Sequence, residues 1–228
     1  MLLKRQILCF AIGCAVWPAV AVSGLRSPQV PIAGSALQNF FNARHIPINA
    51  ATDQLDMQTF SLPPGGTVTL GPALNAGDTY GLYNGAFAAP PLYLVFPGAA
   101  STGWSATASF RISPTRLVVN LFDNNAAFVG SATYLAGPPD PTDFGIYVQG
   151  PGTGGVPLYT QDARNPGGTP QFLVYSAPGS GGQQTWLAIE ETPGPGGDYA
   201  DVVMLLNLAN GITPASSTTW SRLKRLYQ

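Results

Sequence analysis

The clearest indication of the fold is the segment Arg116-Leu-Val-Val-Asn-Leu-Phe122-Asp-Asn-Asn-Ala-Ala-Phe-Val-Gly-Ser-Ala-Thr-Tyr134. Its first part, residues 116–122, consists mostly of the aliphatic and aromatic types that favour β-strands. Asp123-Asn124-Asn125 has the composition of a tight turn, and the chain regains strand character over residues 127–134. The stretch therefore predicts a β-hairpin with a buried first strand.

Short strands separated by turns continue on both sides of this hairpin. The 27 glycines and 22 prolines favour turns over long helices. Because no helical stretch separates the strands, we predict an all-β fold, an antiparallel and jelly-roll-like β-sandwich. The other predicted strands cover residues 67–70, 92–96, 144–148, 156–160, 171–175, 185–190 and 202–208.

One short helix is predicted ahead of the strands. Leu37, Phe40 and Phe41 recur at helical spacing, Ser35 can cap the helix, and Pro47 prevents its continuation. We therefore expect one β-rich domain over residues 35–208. Residues 22–34 are predicted to form a linker, and residues 209–228 a polar to basic tail.

The N-terminus has the features of a secretion signal. Lys4 and Arg5 precede an apolar run, and small residues lead up to a cleavage site near Ala21. We predict a signal peptide over residues 1–21 and a secreted or periplasmic location in a bacterium. No stable transmembrane anchor is expected, because Pro18 interrupts a run shorter than the roughly 20 residues that span a bilayer. A retained anchor and lipidation at Cys14 are the alternatives.

The positions of the cysteines argue against a disulfide-stabilised protein, and the charge argues against a nucleic-acid-binding protein. Both cysteines, Cys9 and Cys14, lie in the predicted signal peptide, so the mature chain has no disulfide framework. Without Lys4 and Arg5 the chain keeps 8 basic and 11 acidic residues. No basic stripe is left to neutralise phosphates, so nucleic acid is not expected as a partner.

The strongest candidate site is an acidic hairpin at residues 190–201, which holds four of the chain's eleven acidic residues. Glu190 and Glu191 end a predicted strand, and Asp198 and Asp201 lead into the next one. Because crowded carboxylates repel each other, a hard cation that prefers oxygen ligands suits them. We take all four as candidate metal ligands, for calcium. The alternative is a solvated acidic turn.

Two further hypotheses compete with a structural calcium domain. Glu190 and Asp201 could act as acid and base of a glycoside hydrolase, although the only histidine, His45, supplies no base for a nucleophile. The preferred interpretation is therefore not an enzyme. The other hypothesis is a carbohydrate-binding module for extracellular polysaccharide, with an aromatic platform. Its candidate residues are Trp104, Trp186, Trp220, Tyr147, Tyr159 and Tyr199.

Several motifs resemble one known family. They are Ala36-Leu37-Gln38-Asn39-Phe40, Thr52-Asp53-Gln54, Thr79-Tyr80-Gly81-Leu82-Tyr83, Val95-Phe96-Pro97-Gly98-Ala99, Asp143-Phe144-Gly145-Ile146-Tyr147, Asn165-Pro166-Gly167-Gly168 and the acidic hairpin. With them the chain resembles the bacterial secreted family called domain of unknown function 4114, from about Ser35 to Leu208.

The resemblance implies a role for the acidic hairpin but no enzymatic activity. Glu190, Asp198 and Asp201 match the family's acidic positions, which suit calcium. Gly196 and Ala200 stand where the family has aspartate and asparagine. The Pro-Glu-Pro sorting signal of many relatives is absent, so no C-terminal anchor is expected. The sequence thus predicts an exported structural or binding domain, stabilised by calcium at its acidic hairpin and linked to envelope components.

Overall fold

The computed structural model describes residues 24–71, 77–179 and 182–209, and the predicted signal peptide, Trp220 and most of the predicted tail lie outside these residues. The described chain forms one α-helix, α1 (Ala36–Ala43), two short 3-10 helices (Asp162–Arg164 and Pro166–Gly168) and a series of antiparallel strands. The strands are β1 (Thr67–Gly71), β2 (Thr79–Asn84), β3 (Leu92–Phe96), β4 (Ser105–Ile112), β5 (Thr115–Phe122), β6 (Phe128–Tyr134), β7 (Phe144–Gln149), β8 (Leu158–Tyr159), β9 (Phe172–Gly179), β10 (Gly182–Ile189) and β11 (Val202–Ala209).

The strands build two sheets, so the predicted all-β sandwich is confirmed. The larger sheet has seven strands in the order β6-β5-β4-β1-β11-β10-β9, and the smaller has four in the order β3-β2-β7-β8. Alternate residues of both sheets point into one core. Strand β5 shows this clearly, since Leu117, Val119 and Leu121 are buried while their neighbours are more exposed.

The hairpin predicted over residues 116–134 is present as β5, a turn and β6. The Asp123 carboxylate accepts hydrogen bonds from the backbone N–H groups of Asn125 and Ala127, both at 2.8 Å. A side chain that bonds its own backbone in this way fixes a tight turn. The turn therefore forms for the reason the sequence suggested.

Two strands escaped the sequence analysis. In β4, Ala106 and Ala108 supply much of the buried face, and alanine carries little strand preference. In β2, Gly81 interrupts the apolar pattern. A Cβ at Gly81 would lie 2.2 Å from the carbonyl oxygen of Tyr93, so only glycine allows this close approach of the two strands.

Helix α1 covers the outer face of the larger sheet and adds a third layer. Leu37 and Phe41 are fully buried there, and Phe41 packs edge-on against Tyr175 and Trp186. Burying two such side chains contributes about 1.5–3 kcal/mol each. Ser35 occupies the N-cap position, but its side chain makes no capping hydrogen bond.

The segment predicted as a linker packs against the domain in its described part, residues 24–34. Leu25 forms a β-bridge with Leu55. The fully buried Gln54 side chain accepts a hydrogen bond from the N–H of Val30 at 2.7 Å and donates one to its carbonyl at 2.9 Å. This segment thus has a fixed position beside residues 54–55, and Leu55 in turn forms a β-bridge with Val174 of strand β9. No helix among the described residues is long and apolar enough to cross a membrane.

Candidate functional site

The acidic hairpin brings two of its four predicted ligands together. Glu190 follows β10, and the Asp201 carboxyl lies within hydrogen-bonding reach of the Glu190 carboxyl. Burial, followed by the negative charge of Asp201, raises the pKa of Glu190. Such a pair of carboxyls favours a shared proton or a bound cation.

Backbone donors hold this pair in place. The Glu190 carboxylate accepts hydrogen bonds from the N–H of Thr192 at 3.3 Å and of Tyr199 at 3.4 Å. Asp201 Oδ2 accepts one from the N–H of Glu191 at 2.9 Å. The pair therefore closes the base of the hairpin loop, in which Tyr199 has a positive φ of 52°.

Glu191 and Asp198 point elsewhere. Since side chains alternate along an extended chain, Glu191 lies opposite Glu190 and accepts a hydrogen bond from the Tyr80 hydroxyl. It approaches the loop at Gly152, where a Cβ would lie 3.0 Å from Glu191 Oε2 and 2.6 Å from Asp78 Oδ2. Asp198 bonds the N–H of Ala200 at 2.9 Å and stabilises its own turn.

The four carboxylates therefore do not converge on one point. Within the described part of the chain, no three His, Cys, Asp or Glu side chains are grouped closely enough to hold a metal ion. Calcium usually takes about six to eight oxygen ligands. The residues present supply only the Glu190–Asp201 pair, which does not fit the site first envisaged, and calcium binding stays a prediction.

The same contact bears on the hydrolase hypothesis. The acid and base of a glycosidase flank the bond to be cleaved, with carboxyl groups about 5 Å apart or more. Glu190 and Asp201 lie within hydrogen-bonding reach of each other. This is closer than the separation that such an enzyme uses, and the hydrolase stays a hypothesis.

The five predicted aromatic residues that the structure describes form no exposed platform. Trp186, Tyr147 and Tyr199 are buried, with exposures of 1%, 4% and 0%. Trp104 packs against the core, and Tyr159 is half-buried against Tyr83. Trp186 and Tyr199 belong to the buried cluster that includes Leu37 and Phe41 of helix α1, and most strand aromatics serve such packing.

A different site lies where the N-terminal segment crosses the sandwich. It is an open cleft of about 450 Å³, which we call the Arg26–Asp162 cleft. This volume lies within the range of about 300–1,000 Å³ typical of small-ligand sites. Its lining residues are Arg26, Ser27, Pro28, Gln29, Val30, Pro31, Asp56, Gln58, Asp162, Thr169, Pro170, Pro195, Gly196 and Tyr199.

A largely buried ion pair forms part of the cleft's lining. A guanidinium N–H of Arg26 donates to Asp162 Oδ2 at 2.7 Å, and the two side chains are 9% and 19% exposed. The side-chain N–H of Gln58 donates to the same oxygen at 3.4 Å, and its side-chain oxygen accepts a hydrogen bond from the backbone N–H of Asp162 at 3.0 Å. Burial raises the pKa of Asp162, and the Arg26 charge opposes this rise without cancelling it.

Two residues that line the cleft each carry a buried oxygen atom without a hydrogen-bond donor. Asp162 Oδ1 and Gln29 Oε1 are both buried and unpartnered. Leaving a buried acceptor unsatisfied costs about 1–3 kcal/mol. The Gln29 amide is oriented by its N–H groups, which donate to the carbonyl of Arg26 at 2.7 Å. The lining residues of the cleft therefore include two buried acceptors that lack donors.

This site is not recognisable in the sequence because its parts are far apart in the chain. Arg26 and Asp162 are separated by 136 positions. One signal was visible, since Arg26 is the sole basic residue between the predicted cleavage site and helix α1. In a chain with few charges, a lone arginine in a proline-rich segment points to a specific partner.

A scan against protein-family models, a search of curated proteins and a search of solved structures found no match for this chain. The resemblance to domain of unknown function 4114 stays a prediction.

Proposed function

We propose that the protein is an exported β-sandwich domain that binds a neutral, polyhydroxylated ligand, a carbohydrate, in the Arg26–Asp162 cleft. The observation that carries the proposal is the pair of buried, unpartnered acceptors on residues that line the cleft, Gln29 Oε1 and Asp162 Oδ1, the second on a carboxylate paired with the Arg26 guanidinium. Sugar hydroxyls both donate and accept hydrogen bonds. They would donate to the two oxygens and accept from the arginine.

The cleft walls suit the apolar part of such a ligand. Pro28, Pro31, Pro170 and Pro195 provide rigid, non-polar surfaces, and Tyr199 lies beside them. Ligand sites typically combine mainly apolar walls with a few polar groups of fixed position. Prolines lose little side-chain entropy when a ligand binds, which favours a preformed site.

Charge favours a neutral ligand over an acidic one. Arg26 is already paired with Asp162, and Asp56 adds a second negative charge that acts on Asp162. An anion entering the cleft would meet a net negative environment. We therefore propose binding rather than catalysis, with an uncharged sugar unit as the recognised group.

The test is binding of the mature protein to an array of immobilised neutral and acidic glycans. We expect binding to neutral glycans that Ser27→Trp reduces at least tenfold, because Ser27 is exposed and lines the cleft. Ser101→Trp is the matched control, since Ser101 is exposed and does not line the cleft. The proposal fails if no glycan binds or if both variants bind like the wild type.

A further inference from the structure

A second polar site lies at the tip of the β4–β5 hairpin, remote in the chain from the residues that form the cleft. Arg111 of β4 stands directly opposite Arg116 of β5 in the strand register. Like charges in directly opposed positions destabilise a β-ladder. Among the residues the structure describes, the only salt bridge joins Arg26 to Asp162, so neither arginine has an acidic partner there.

One arginine also carries a buried donor without an acceptor. Arg116 Nε is buried and makes no hydrogen bond. An unsatisfied buried N–H costs about 1–3 kcal/mol, and more next to a charge, so an acceptor is expected close to it. The N–H groups of a guanidinium form a planar fork that matches a carboxylate, sulfate or phosphate.

A pocket of the right size adjoins the two arginines. Its volume is about 130 Å³, and Phe110, Ile112 and a run of prolines at 138, 139 and 141 contribute to its walls. Since a water molecule takes up about 30 Å³ of liquid, the pocket holds about four waters or one oxyanion with little hydration. It is too small for a typical organic ligand, which needs about 300 Å³ or more.

The acidic residue between the lining prolines does not pair with the arginines. Asp140 lies between two of the lining prolines, but its Oδ1 accepts hydrogen bonds from the N–H and hydroxyl of Thr142 at 2.8 and 2.7 Å. These bonds lower the pKa of Asp140 and keep the carboxylate in its own turn. The positive charge at the hairpin tip is thus left for an external anion.

We propose that this pocket binds a single oxyanion group, with Arg111 and Arg116 as its donors. An anion between the two guanidinium groups would remove their repulsion and supply the acceptor that Arg116 Nε lacks. The group can be a free ion or a substituent on a larger molecule, and both present the same three or four oxygens. The site is independent of the carbohydrate cleft.

Thermal melts in the presence of oxyanions test this inference. Sodium phosphate and sodium sulfate represent the free ions, and sodium D-glucuronate represents a carboxylate on a sugar. Sodium chloride at equal ionic strength serves as the salt control. We expect phosphate, sulfate or glucuronate at 10 times its Kd to raise the Tm by about 2–6 °C over chloride. The probe that acts at the lowest concentration identifies the source.

Variants separate this site from general salt effects. Arg111→Gln and Arg116→Gln should abolish the oxyanion-dependent rise, and neither should lower the Tm in chloride, because each removes a like-charge contact. Arg44→Gln is the control: this exposed arginine lies over the Phe40 ring at 3.8 Å and should leave the rise intact. In NMR spectra, phosphate should shift the Nε–H signal of Arg116. A rise that survives in Arg116→Gln, or no rise with any probe, would overturn the proposal.

The two proposals fail independently. Ser27→Trp should leave the oxyanion response unchanged, and Arg116→Gln should leave glycan binding unchanged. If Arg116→Gln removed binding to neutral glycans, the two sites would not be separate and the inference would be wrong.

Discussion

The acidic hairpin and the Arg26–Asp162 cleft lie side by side, yet their charges are arranged in opposite ways. Pro195, Gly196 and Tyr199 of the hairpin line the cleft, and the hairpin carbonyl of Gly197 accepts the N–H of Ala33. In the hairpin, two like charges meet, and burial raises the pKa of Glu190. In the cleft, opposite charges meet. Removing a charge should therefore stabilise one region and destabilise the other.

The largest effect is expected when the ion pair of the cleft is broken. Arg26→Met keeps much of the side-chain volume but leaves the Asp162 carboxylate largely buried without its cation. Removing one partner of a buried pair costs about 3–5 kcal/mol, and we expect about 2–4 kcal/mol of unfolding free energy here, because Asp162 is 19% exposed. Urea denaturation at pH 8 measures it.

The pH dependence of Arg26→Met gives a second check. Without the Arg26 charge, the already raised pKa of Asp162 rises further. The buried charge is then removed by protonation at low pH, so the loss of stability should be smaller at pH 5 than at pH 8. Arg44→Met, at an exposed arginine, should cost less than 1 kcal/mol at both pH values. An equal loss for the two variants would contradict the importance of the buried pair.

In the hairpin, removing a charge should raise the stability of the protein instead of lowering it. Because the pKa of Glu190 is raised in the folded protein, its contribution to stability is full below its ordinary pKa and is lost as the pH rises through the raised value. Glutamine mimics the protonated acid. Glu190→Gln should therefore match the wild-type Tm near pH 4 and exceed it at pH 8, as thermal melts across this range will show.

A double-mutant comparison tests whether the gain in stability comes from the interaction between Glu190 and Asp201. Asp201→Asn removes the second charge while keeping an oxygen that can accept the N–H of Glu191. Its gain at pH 8 should be smaller than that of Glu190→Gln, because Glu190 stays buried and charged, and the double variant should gain little more than Glu190→Gln alone. Additive gains would show that the two carboxyls do not interact.

The two regions also differ in what the sequence could reveal. The hairpin was predictable because its four carboxylates lie within twelve positions and the adjoining strands pair directly. Even so, the sequence could not tell which of them would meet. Side-chain alternation sends Glu190 and Glu191 to opposite faces, and Asp198 bonds its own turn.

The cleft was hidden because long-range contacts create it. Residues 22–34 were predicted as a linker, since they contain no periodic apolar pattern. Their described part is held by Gln54, whose buried side chain forms hydrogen bonds with both the N–H and the carbonyl of Val30. No local sequence pattern predicts such a contact. The strands, in contrast, follow from local composition, except where alanine and glycine weaken the pattern in β4 and β2.

The smallest expected effect is the change in Tm on adding calcium. It tests whether a cation neutralises the Glu190 and Asp201 carboxylates. If calcium binds between Glu190 and Asp201 with only two carboxylates, its affinity should be near the weak end for extracellular domains, with a Kd of about 1 mM. At 10 mM calcium this corresponds to a gain of about 1.4 kcal/mol. The Tm should rise by about 3–5 °C, and EDTA should reverse the rise.

Glu190→Gln separates a bound cation from a shared proton. With calcium as the neutralising species, the variant should lose the rise in Tm, and in 10 mM calcium at pH 8 it should be no more stable than the wild type. With a shared proton, the variant should be more stable than the wild type at pH 8 whether calcium or EDTA is present. A wild-type Tm that does not change between calcium and EDTA would end the calcium hypothesis. The hairpin would then be a proton-sensitive wall of the cleft, because Tyr199, whose N–H bonds the Glu190 carboxylate, also lines it.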